Sequence, residues 1–508
     1  MTSGIHHVTA ITRNVQKNVD FYAGFLGLKL VKQTGGYEDG EQLHLFYGDR
    51  LGSPGSLVTF LVWEAGATGR VGLGQVSEIA FAVPPDSIGD WLQRALAAGV
   101  PFTGPSREFG EPVLRLKDPD GIIVKLVGID MPAAAPLPDP IAPTRIRSIT
   151  ILTEDADRVA EFASRFGYRE LVREAPFIRM ASDSDVIDLR QSAGFVPGVP
   201  GAGVFDHVAY RAPDVDAVRQ MRLDLRDHDG ATNVHDRKYF LSLYVREPTG
   251  VLFEYATDAP GFAVDEDAEH LGETLMIPPR DAARANDLRV VLPQFALPGK
   301  DRWPERDLPF VHRFHTPSDP DGSVLVLLHG TGGDEAQLMP FAARLNPRAT
   351  LLGVRGRAAE EGSLRWFRRF DMATFDQKDI AAEAEAFAAF VDGAVTGYAL
   401  DPARMTFIGY SNGANLLAAL MRLDPGVVRR AILLRPVEVL ENGPVPDLSD
   451  THVLLMSGKN DIFGARTAPL VEALRACHVD LDLQVVDSGH ELSSLDEPIA
   501  QLWLTEQS

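Results

Sequence analysis

Residues 409–413, GYSNG, could carry nucleophilic chemistry. They match the GxSxG pattern, in which glycines permit a strained turn between a strand and a helix and the serine hydroxyl is exposed. Apolar residues 405–408 precede the motif, and a helical pattern over 415–422 follows it. The motif therefore stands in the context that this turn needs, and Ser411 is the candidate nucleophile.

A serine hydroxyl needs a base, and the base needs an orienting carboxylate. Asp461 comes just after the apolar stretch HVLLMSG, and His490 comes just after LDLQVVDSG. Both therefore fall at the carboxyl ends of predicted strands, on the same sheet edge as Ser411. Asp487 is a competing acid, which we rank below Asp461 because it falls inside the last predicted strand. The sequence predicts a triad of Ser411, Asp461 and His490.

Acyl transfer also needs backbone N–H groups that stabilise the developing negative charge. Thr331, in the segment HGTGG at 329–333, can supply one such group, and Asn412 can supply another. Trp366, Arg368 and Arg369 could line an acyl or carboxylate pocket, although a solvated helix face is the favoured interpretation of these residues.

The first 260 residues contain a second set of candidate residues within a repeated pattern. A strand, an amphipathic helix and further strands recur four times, beginning near Gly4, Gln75, Arg145 and Val204. Aligning the repeats internally gives two equivalent sets: His7, His207 and Glu254, and Ser148, Glu78 and Lys125.

The first of these sets has the composition of a metal site. Two histidines and one carboxylate leave coordination positions open, which is typical of non-haem Fe(II) enzymes, with Mn and Zn as alternatives. The second set cannot form a comparable site, since the ammonium of Lys125 would repel a cation. On spacing alone, ordinary strand-end histidines remain an alternative for His7 and His207.

Four repeats and the later alternation of strands and helices define the expected architecture. The N-terminal half is predicted to be α+β, with four βαβββ units in two pairs, at 1–130 and 144–260. The Pro/Ala stretch 131–143 separates the pairs, and 261–310 is expected to be a linker. Residues 311–508 are predicted to form an α/β domain with a mainly parallel sheet.

Composition restricts the class of partner. The 508 residues carry a formal net charge of −22, which disfavours binding to nucleic acid or to an anionic membrane surface. The N-terminus does not match a signal peptide, and the chain has one cysteine, Cys477. We expect a cytoplasmic enzyme with small-molecule partners and a structural thiol; homo-oligomer formation stays open.

Residues from about 320 to 505 resemble the phospholipase/carboxylesterase type of α/β-hydrolase, through LLHGTGGDE, GYSNGAN, GKND and SGHEL. The resemblance implies hydrolysis of carboxylic esters or thioesters through an acyl-serine intermediate. It carries the triad over to Ser411, Asp461 and His490.

Residues 1 to about 260 resemble the vicinal oxygen chelate superfamily (glyoxalase/bleomycin resistance-like), and specifically its hydroquinone-type ring-cleaving dioxygenases. The shared phrases are GIHHVT, HLFYGD, GSPGSLVTF, FDHVAY, DRKYFLSLYVREPTGVLFE and DEDAEHLGE. The resemblance implies Fe(II) held by His7, His207 and Glu254, with His6 and Tyr244 as acid/base groups beside the metal. Some members have an extra arginine after DRK that this sequence lacks. An arginine contact to the substrate is therefore not expected in this chain.

The sequence thus predicts a bifunctional enzyme: an Fe(II)-dependent, extradiol-type dioxygenase that uses O2 to cleave hydroquinone- or catechol-type rings, fused to a serine carboxylesterase. Two alternatives concern the N-terminal half. One is a glyoxalase-type lyase or isomerase, in which Glu78 or another acid would have to reach the metal. The other is a sensor domain that binds quinones or phenols.

Overall fold

Residues 3–226, 228, 230–302 and 306–506 are described by the computed structural model. The chain divides into two units. The N-terminal unit contains the described residues up to Ala283 together with Gln294–Arg302, and the C-terminal unit contains Arg284–Pro293 and the described residues after Arg302. Within the described ranges, no helix is both long enough and apolar enough to cross a membrane.

The N-terminal unit is built mainly from four βαβββ repeats. Its strands are β1 (Ile5–Thr12), β2 (Lys29–Gly35), β3 (Leu43–Gly48), β4 (Leu57–Val62), β5 (Gln75–Val83), β6 (Phe102–Glu108), β7 (Glu111–Lys117), β8 (Ile123–Gly128), β9 (Arg145–Thr153), β10 (Arg169–Glu174), β11 (Phe177–Ala181), β12 (Val186–Gln191), β13 (Phe205–Ala212), β14 (His235–Asp236), β15 (Phe240–Arg246), β16 (Leu252–Pro260) and β17 (Leu275–Met276). Its α-helices are α1 (Val15–Val19), α2 (Ile88–Ala98), α3 (Ala156–Ala163) and α4 (Val215–Asp224).

Two sheets arise because the first repeat pairs with the fourth and the second pairs with the third. The first and fourth repeats form a nine-stranded sheet in the order β14-β15-β16-β13-β1-β4-β3-β2-β17. The second and third repeats form an eight-stranded sheet in the order β10-β11-β12-β9-β5-β8-β7-β6. Each sheet therefore takes strands from both sides of the Pro/Ala stretch 131–143.

Local sequence signals begin the helices. Asn14, Asp155 and Asp214 precede α1, α3 and α4, and each side chain accepts a hydrogen bond from a backbone N–H in the first turn. Such caps satisfy donors that have no partner inside the helix. Helices α3 and α4 pack against strands of their own repeats. The opening strands β1 and β13 lie side by side at the centre of the first sheet.

The C-terminal unit has helices on both faces of a mostly parallel sheet. Its strands are β18 (His312–His315), β19 (Val324–Leu328), β20 (Thr350–Val354), β21 (Ala358–Glu360), β22 (Ser363–Arg365), β23 (Met405–Tyr410), β24 (Arg430–Leu434), β25 (His452–Gly458) and β26 (Asp480–Val486). Its helices are α5 (Ala285–Val291), α6 (Met339–Leu345), α7 (Gln377–Tyr398), α8 (Asn412–Leu423), α9 (Thr467–Ala476) and α10 (Asp496–Glu506).

The order of the main sheet is β18-β20-β19-β23-β24-β25-β26, and only β18 is antiparallel to its neighbour. Alternate residues of β19 join different cores, since Val324, Val326 and Leu328 pack on one face and Leu325 and Leu327 on the other. A strand buried on both faces is continuously apolar, which explains the sequence SVLVLLHG.

The predicted fold classes, α+β followed by an α/β-hydrolase, are confirmed by this topology. The stretch 261–310, expected to be a linker, contains β17 and α5 and is shared between the two units. The expected domain boundaries stay a prediction.

Candidate functional sites

Strand register brings the three predicted metal ligands together. β1 runs antiparallel to β13, and β13 runs parallel to β16. Ala209 on β13 lies opposite His7 on one side and Glu254 on the other. His207 is two residues before Ala209 and so points to the same face of the sheet.

The ligand atoms of His7, His207 and Glu254 converge within 4.8 Å of one another, and all three residues are buried. The Nε2 atoms of His7 and His207 lie 3.0 and 3.2 Å from Glu254 Oε2. Neither Glu254 oxygen receives an aligned hydrogen bond, although both are shielded from solvent. Orphaned carboxylate oxygens facing two imidazole nitrogens fit a bound metal cation.

The outer nitrogens of both imidazoles are held by neighbours. His6 Nδ1 lies 2.9 Å from His7 Nδ1, and Asp206 Oδ2 lies 2.7 Å from His207 Nδ1. Contacts of this kind fix the tautomer and orientation of metal-binding histidines. Burial opposes ionisation of Glu254, yet the facing imidazoles hold the pKa of its carboxyl well below the usual range. The site therefore presents an anionic carboxylate and two oriented histidines, of which His207 has its pKa raised to about 9, because the Asp206 and Glu254 carboxylates outweigh the effect of burial.

A cavity of about 450 Å³ opens beside these residues. Tyr244, one of the predicted acid/base groups, lines the cavity with its ring edge-on to His207, 5.6 Å between ring centroids. Burial and the nearby Glu254 charge raise the pKa of its hydroxyl well above the usual value. Burial also lowers the pKa of His6 to about 3. Tyr244 is thus a protonated donor, and His6 is a neutral imidazole.

Sequence reasoning missed several residues of this cavity. His44 on β3 lies on its wall, and burial lowers the pKa of His44 to about 3. Its Nε2 is 2.9 Å from Thr59 Oγ1, and Thr59 in turn contacts Thr9 Oγ1 at 2.9 Å. Thr9 also lies 2.9 Å from His207 Nε2. The phrase HLFYGD contained His44, but no spacing rule connected it to the other repeat.

The equivalent position of the other sheet contains an ion-pair cluster. There Ala80 lies opposite both Ser148 and Lys125, as Ala209 lies opposite His7 and Glu254. Lys125 Nζ is 2.9 Å from Glu78 and 3.3 Å from Glu108. An ammonium group thus occupies the place that a cation would take, in agreement with the internal alignment.

The C-terminal unit places Ser411 at the turn between β23 and α8, with φ +50° and ψ −112°. This backbone conformation is rare for a residue other than glycine. A Cβ atom on Gly409 would approach Ala414 N to 2.6 Å, and one on Gly413 would approach Leu328 O to 2.3 Å. The flanking glycines are therefore required by close packing.

The predicted triad forms a chain of hydrogen bonds. Ser411 Oγ lies 2.9 Å from His490 Nε2, and His490 Nδ1 lies 2.9 Å from Asp461 Oδ2. Asp487 does not lie inside the last strand as expected, because β26 ends at Val486. Its carboxylate accepts from Asn460 Nδ2 at 3.4 Å.

Segments beside the serine frame a candidate oxyanion hole. The N–H groups of Gly330, Gly332 and Gly333 all donate within the protein, which leaves the Thr331 N–H as the donor that the loop offers. Asn412 begins α8 directly after Ser411. Both residues line a cavity of about 410 Å³ that also contains Ser411 and His490.

Three residues considered for this pocket lie in different surroundings. Trp366 is fully buried in the core, and its indole N–H donates to His329 O at 2.9 Å. Arg368 is largely exposed and pairs with Asp376 and Asp379. Arg369 lines the cavity, contrary to the expected solvated face.

Comparison with known proteins covers both parts of the chain. Residues 4–126 match the family model described as "Glyoxalase/Bleomycin resistance protein/Dioxygenase superfamily". The chain is 38% identical over 288 residues to "Putative ring-cleaving dioxygenase MhqO" of Bacillus subtilis, covering 54% of this chain and 91% of that protein. It is 31% identical over 296 residues to the "Chlorohydroquinone/hydroquinone 1,2-dioxygenase" of Sphingobium indicum, covering 54% and 92%.

"Putative hydrolase MhqD" of Bacillus subtilis is 33% identical over 186 residues, which cover 36% of this chain and 93% of that protein. Among solved structures, a putative dioxygenase from Bacillus subtilis has a TM-score of 0.54 and 36% identity, covering 58% of this chain and 97% of its own. A carboxylesterase from Mesorhizobium loti has a TM-score of 0.39 and 42% identity, covering 40% and 97%. By its N-terminal part, the chain belongs to the glyoxalase/bleomycin resistance protein/dioxygenase superfamily, among relatives named ring-cleaving dioxygenases, and it joins this part to an α/β-hydrolase.

Proposed function

We propose that the chain is a bifunctional enzyme. Its N-terminal unit would be an Fe(II)-dependent, extradiol-type dioxygenase for hydroquinone- and catechol-type aromatics, and its C-terminal unit a serine carboxylesterase-type hydrolase. The observation that carries the first activity is the convergence of His7, His207 and Glu254 beside an aromatic-lined cavity. The relative named chlorohydroquinone/hydroquinone 1,2-dioxygenase supports this substrate class.

His7, His207 and Glu254 would hold the metal, for which Fe(II) is preferred over Mn and Zn. Bound iron supplies the one-electron chemistry that a dihydroxybenzene and O2 need in order to react. His6 orients the His7 ring through the 2.9 Å contact between their Nδ1 atoms. Its acid/base role is implied by the resemblance, whereas burial lowers the pKa of His6 to about 3 and makes the imidazole a weak base. Tyr244 keeps its proton and can donate it as ring opening places charge on oxygen.

The hydrolase unit would act through proton transfer along its triad. His490 takes the Ser411 proton at Nε2 as the serine attacks the acyl carbon, and Asp461 stabilises the imidazolium that forms. The leaving group receives that proton. Water then releases the acid, and the N–H groups of Thr331 and Asn412 stabilise the oxyanion in both steps.

The test of the dioxygenase is O2 uptake. Purified protein is loaded with Fe(II) under anaerobic conditions and mixed with O2 and a panel of substituted hydroquinones and catechols. We expect uptake in equal amount to the ring-opened product, and none with His7→Ala or His207→Ala. Iron-loaded protein that binds the phenols without O2 uptake would contradict the dioxygenase and favour a sensor, whereas isomerisation of a hemithioacetal would favour the glyoxalase type.

The test of the hydrolase is hydrolysis of a short-chain 4-nitrophenyl ester. Ser411→Ala should abolish it and leave O2 uptake unchanged, because the two sites use different residues. Cytoplasmic location and homo-oligomer formation stay predictions.

A further inference from the structure

The hydrolase cavity contains more positive charge than a catalytic triad requires. Its lining includes Arg365, Arg369, Arg435 and Arg466 in addition to Ser411, against one acidic side chain, Glu491. Arg435 has a structural explanation, since its guanidinium forms two hydrogen bonds of 2.8 Å with Asp496 and both side chains are fully buried. The other three arginines are not explained by the triad.

Arg365 and Arg369 share one carboxylate. Arg365 Nε lies 3.3 Å from Glu360 Oε2, and Arg369 Nε lies 2.9 Å from the same oxygen. In the described part of the chain, Glu360 is the one acidic side chain that forms an ion pair with either arginine. Two cations facing one anion leave an excess positive charge, and the Arg365 side chain is only 4% exposed.

Arg466 adds a further cation to this cavity. Its guanidinium donates to the carbonyls of Met372 and Ala373, at 3.2 and 3.0 Å, and lies over the Phe375 ring at 5.0 Å. Arg369 Nη1 contacts the sulfur of the same Met372 at 3.0 Å. Arg369 and Arg466 thus meet around one short segment of the cavity wall, and no carboxylate of the described residues pairs with Arg466 within 4 Å.

The position of Arg365 relates this charge to the reacting carbonyl. Its Nη1 donates to Thr331 Oγ1 at 3.0 Å, and Thr331 belongs to the candidate oxyanion hole. Partly buried cations beside a reaction centre are costly unless an anion neutralises them. Guanidinium groups suit carboxylates in particular, because two N–H donors match two oxygens.

We propose that Arg365, Arg369 and Arg466 form a subsite for a carboxylate on the acyl chain of the substrate. The hydrolase, whose activity is itself part of the proposed function, then takes acidic acyl compounds. Ser411 Oγ bonds to the acyl carbon as the C–O bond to the alcohol breaks, and the alcohol leaves with the proton from His490. Water cleaves the acyl-serine and releases a dicarboxylate. The exposed side chains of Phe370 and Met372 provide apolar surface near the arginines.

The experiment compares two esters that differ only in the carboxylate. These are 4-nitrophenyl butyrate and mono-4-nitrophenyl glutarate, which has a carboxyl group added to the end of the same chain. We expect the intact protein to prefer the glutarate ester in kcat/KM by about ten-fold, as charge-assisted hydrogen bonds allow. Added NaCl should reduce this preference, since salt screens the attraction.

Arg369→Gln and Arg466→Gln should each lower kcat/KM for the glutarate ester about ten-fold more than kcat/KM for the butyrate ester. Arg368→Gln is the matched control, because Arg368 neighbours Arg369 in sequence but lies outside the cavity and pairs with Asp376 and Asp379. It should change neither rate. Thermal unfolding of each variant checks that the fold is intact.

The possible failures are distinguishable. If the intact protein hydrolyses both esters equally in a Ser411-dependent way, the carboxylate subsite is wrong and the serine hydrolase stands. Equal losses on both esters in Arg369→Gln and Arg466→Gln would also contradict the subsite, since these arginines would then act on catalysis in general. If neither ester is hydrolysed at all, the proposed hydrolase activity fails, and the subsite with it.

Discussion

His490 and Glu254, one side chain from each site, differ in how their neighbours contact them. His490 is hydrogen-bonded to one carboxylate, Asp461, which in the proposed mechanism fixes the imidazole tautomer and stabilises the charge that forms on it. Glu254 instead faces two imidazoles at once and accepts an aligned hydrogen bond from neither. The first arrangement suits the transfer of a proton, whereas the second suits the binding of a cation.

Asp461→Asn should lower kcat for ester hydrolysis by a factor on the order of 10³–10⁴, because an amide stabilises the wrong tautomer of His490. Asp487→Asn is the control, since Asp487 is a nearby acid that hydrogen-bonds with Asn460. It should retain nearly full activity in the same assay. If Asp487→Asn loses activity and Asp461→Asn does not, Asp487 and not Asp461 is the acid of the triad.

Glu254→Gln should weaken metal binding by at least about ten-fold. Loss of a residue that only orients a metal ligand already lowers metal affinity by about ten-fold or more, and Glu254 is itself a proposed ligand. Metal content after dialysis against a weak chelator measures this. Glu78→Gln changes a carboxylate at the equivalent place in the other sheet, where Lys125 already supplies the positive charge. Metal retained by Glu254→Gln, or lost equally from Glu78→Gln, would overturn the ligand assignment.

At the scale of elements, a turn between two strands should make stability depend on pH. Burial, helped by the Asp120 charge, raises the pKa of Asp118 to about 7. Asp118 lies between β7 and β8, where its Oδ1 accepts from the N–H groups of Asp120 and Ile122. The folded chain therefore keeps a proton on Asp118 up to about pH 7, whereas the unfolded chain loses it near pH 4.

Between about pH 4 and about pH 7, the folded chain binds one proton at Asp118 that the unfolded chain has lost. The contribution of Asp118 to the free energy of unfolding therefore falls as pH rises through this range, and it is constant above about pH 7. Asp118→Asn retains the acceptor oxygen and cannot titrate. Its thermal unfolding temperature should fall less between these pH values than that of the intact protein. Parallel pH profiles for the two proteins would show that Asp118 titrates normally.

The elements also separate what the sequence could predict from what it could not. Repeated strand-helix patterns predicted four βαβββ units, because the spacing of apolar residues is a local signal. The structure adds local helix caps at Asp155 and Asp214. The contribution of His44 was not predicted, since a residue of β3 reaches the cavity only through the order of strands in the sheet. Arg369 appeared to belong to a solvated face, because a lone charged residue gives no sign of the cavity it lines.

At the scale of the whole molecule, the two proposed activities are chemically compatible in one order. Ring opening with both atoms of O2 converts a hydroxyl-bearing ring carbon into a carboxylate. That carboxylate is the group that the arginines of the hydrolase cavity are proposed to bind. We therefore predict that, for a hydroquinone that carries a carboxylic ester on the ring, the dioxygenase acts first and the hydrolase then cleaves the C–O bond of that ester in the open-chain acid.

With a hydroquinone that carries a carboxylic ester on the ring, the intact protein and Ser411→Ala should take up O2 at the same rate, because Ser411 lies in the other unit. The ring-opened ester, followed by chromatography, should persist with Ser411→Ala and decay to the free dicarboxylate with the intact protein. Adding Glu254→Gln protein, which keeps its triad, should restore the decay in the Ser411→Ala reaction. Identical accumulation of product in all three reactions would show that the hydrolase acts on an unrelated substrate, even where each activity is present.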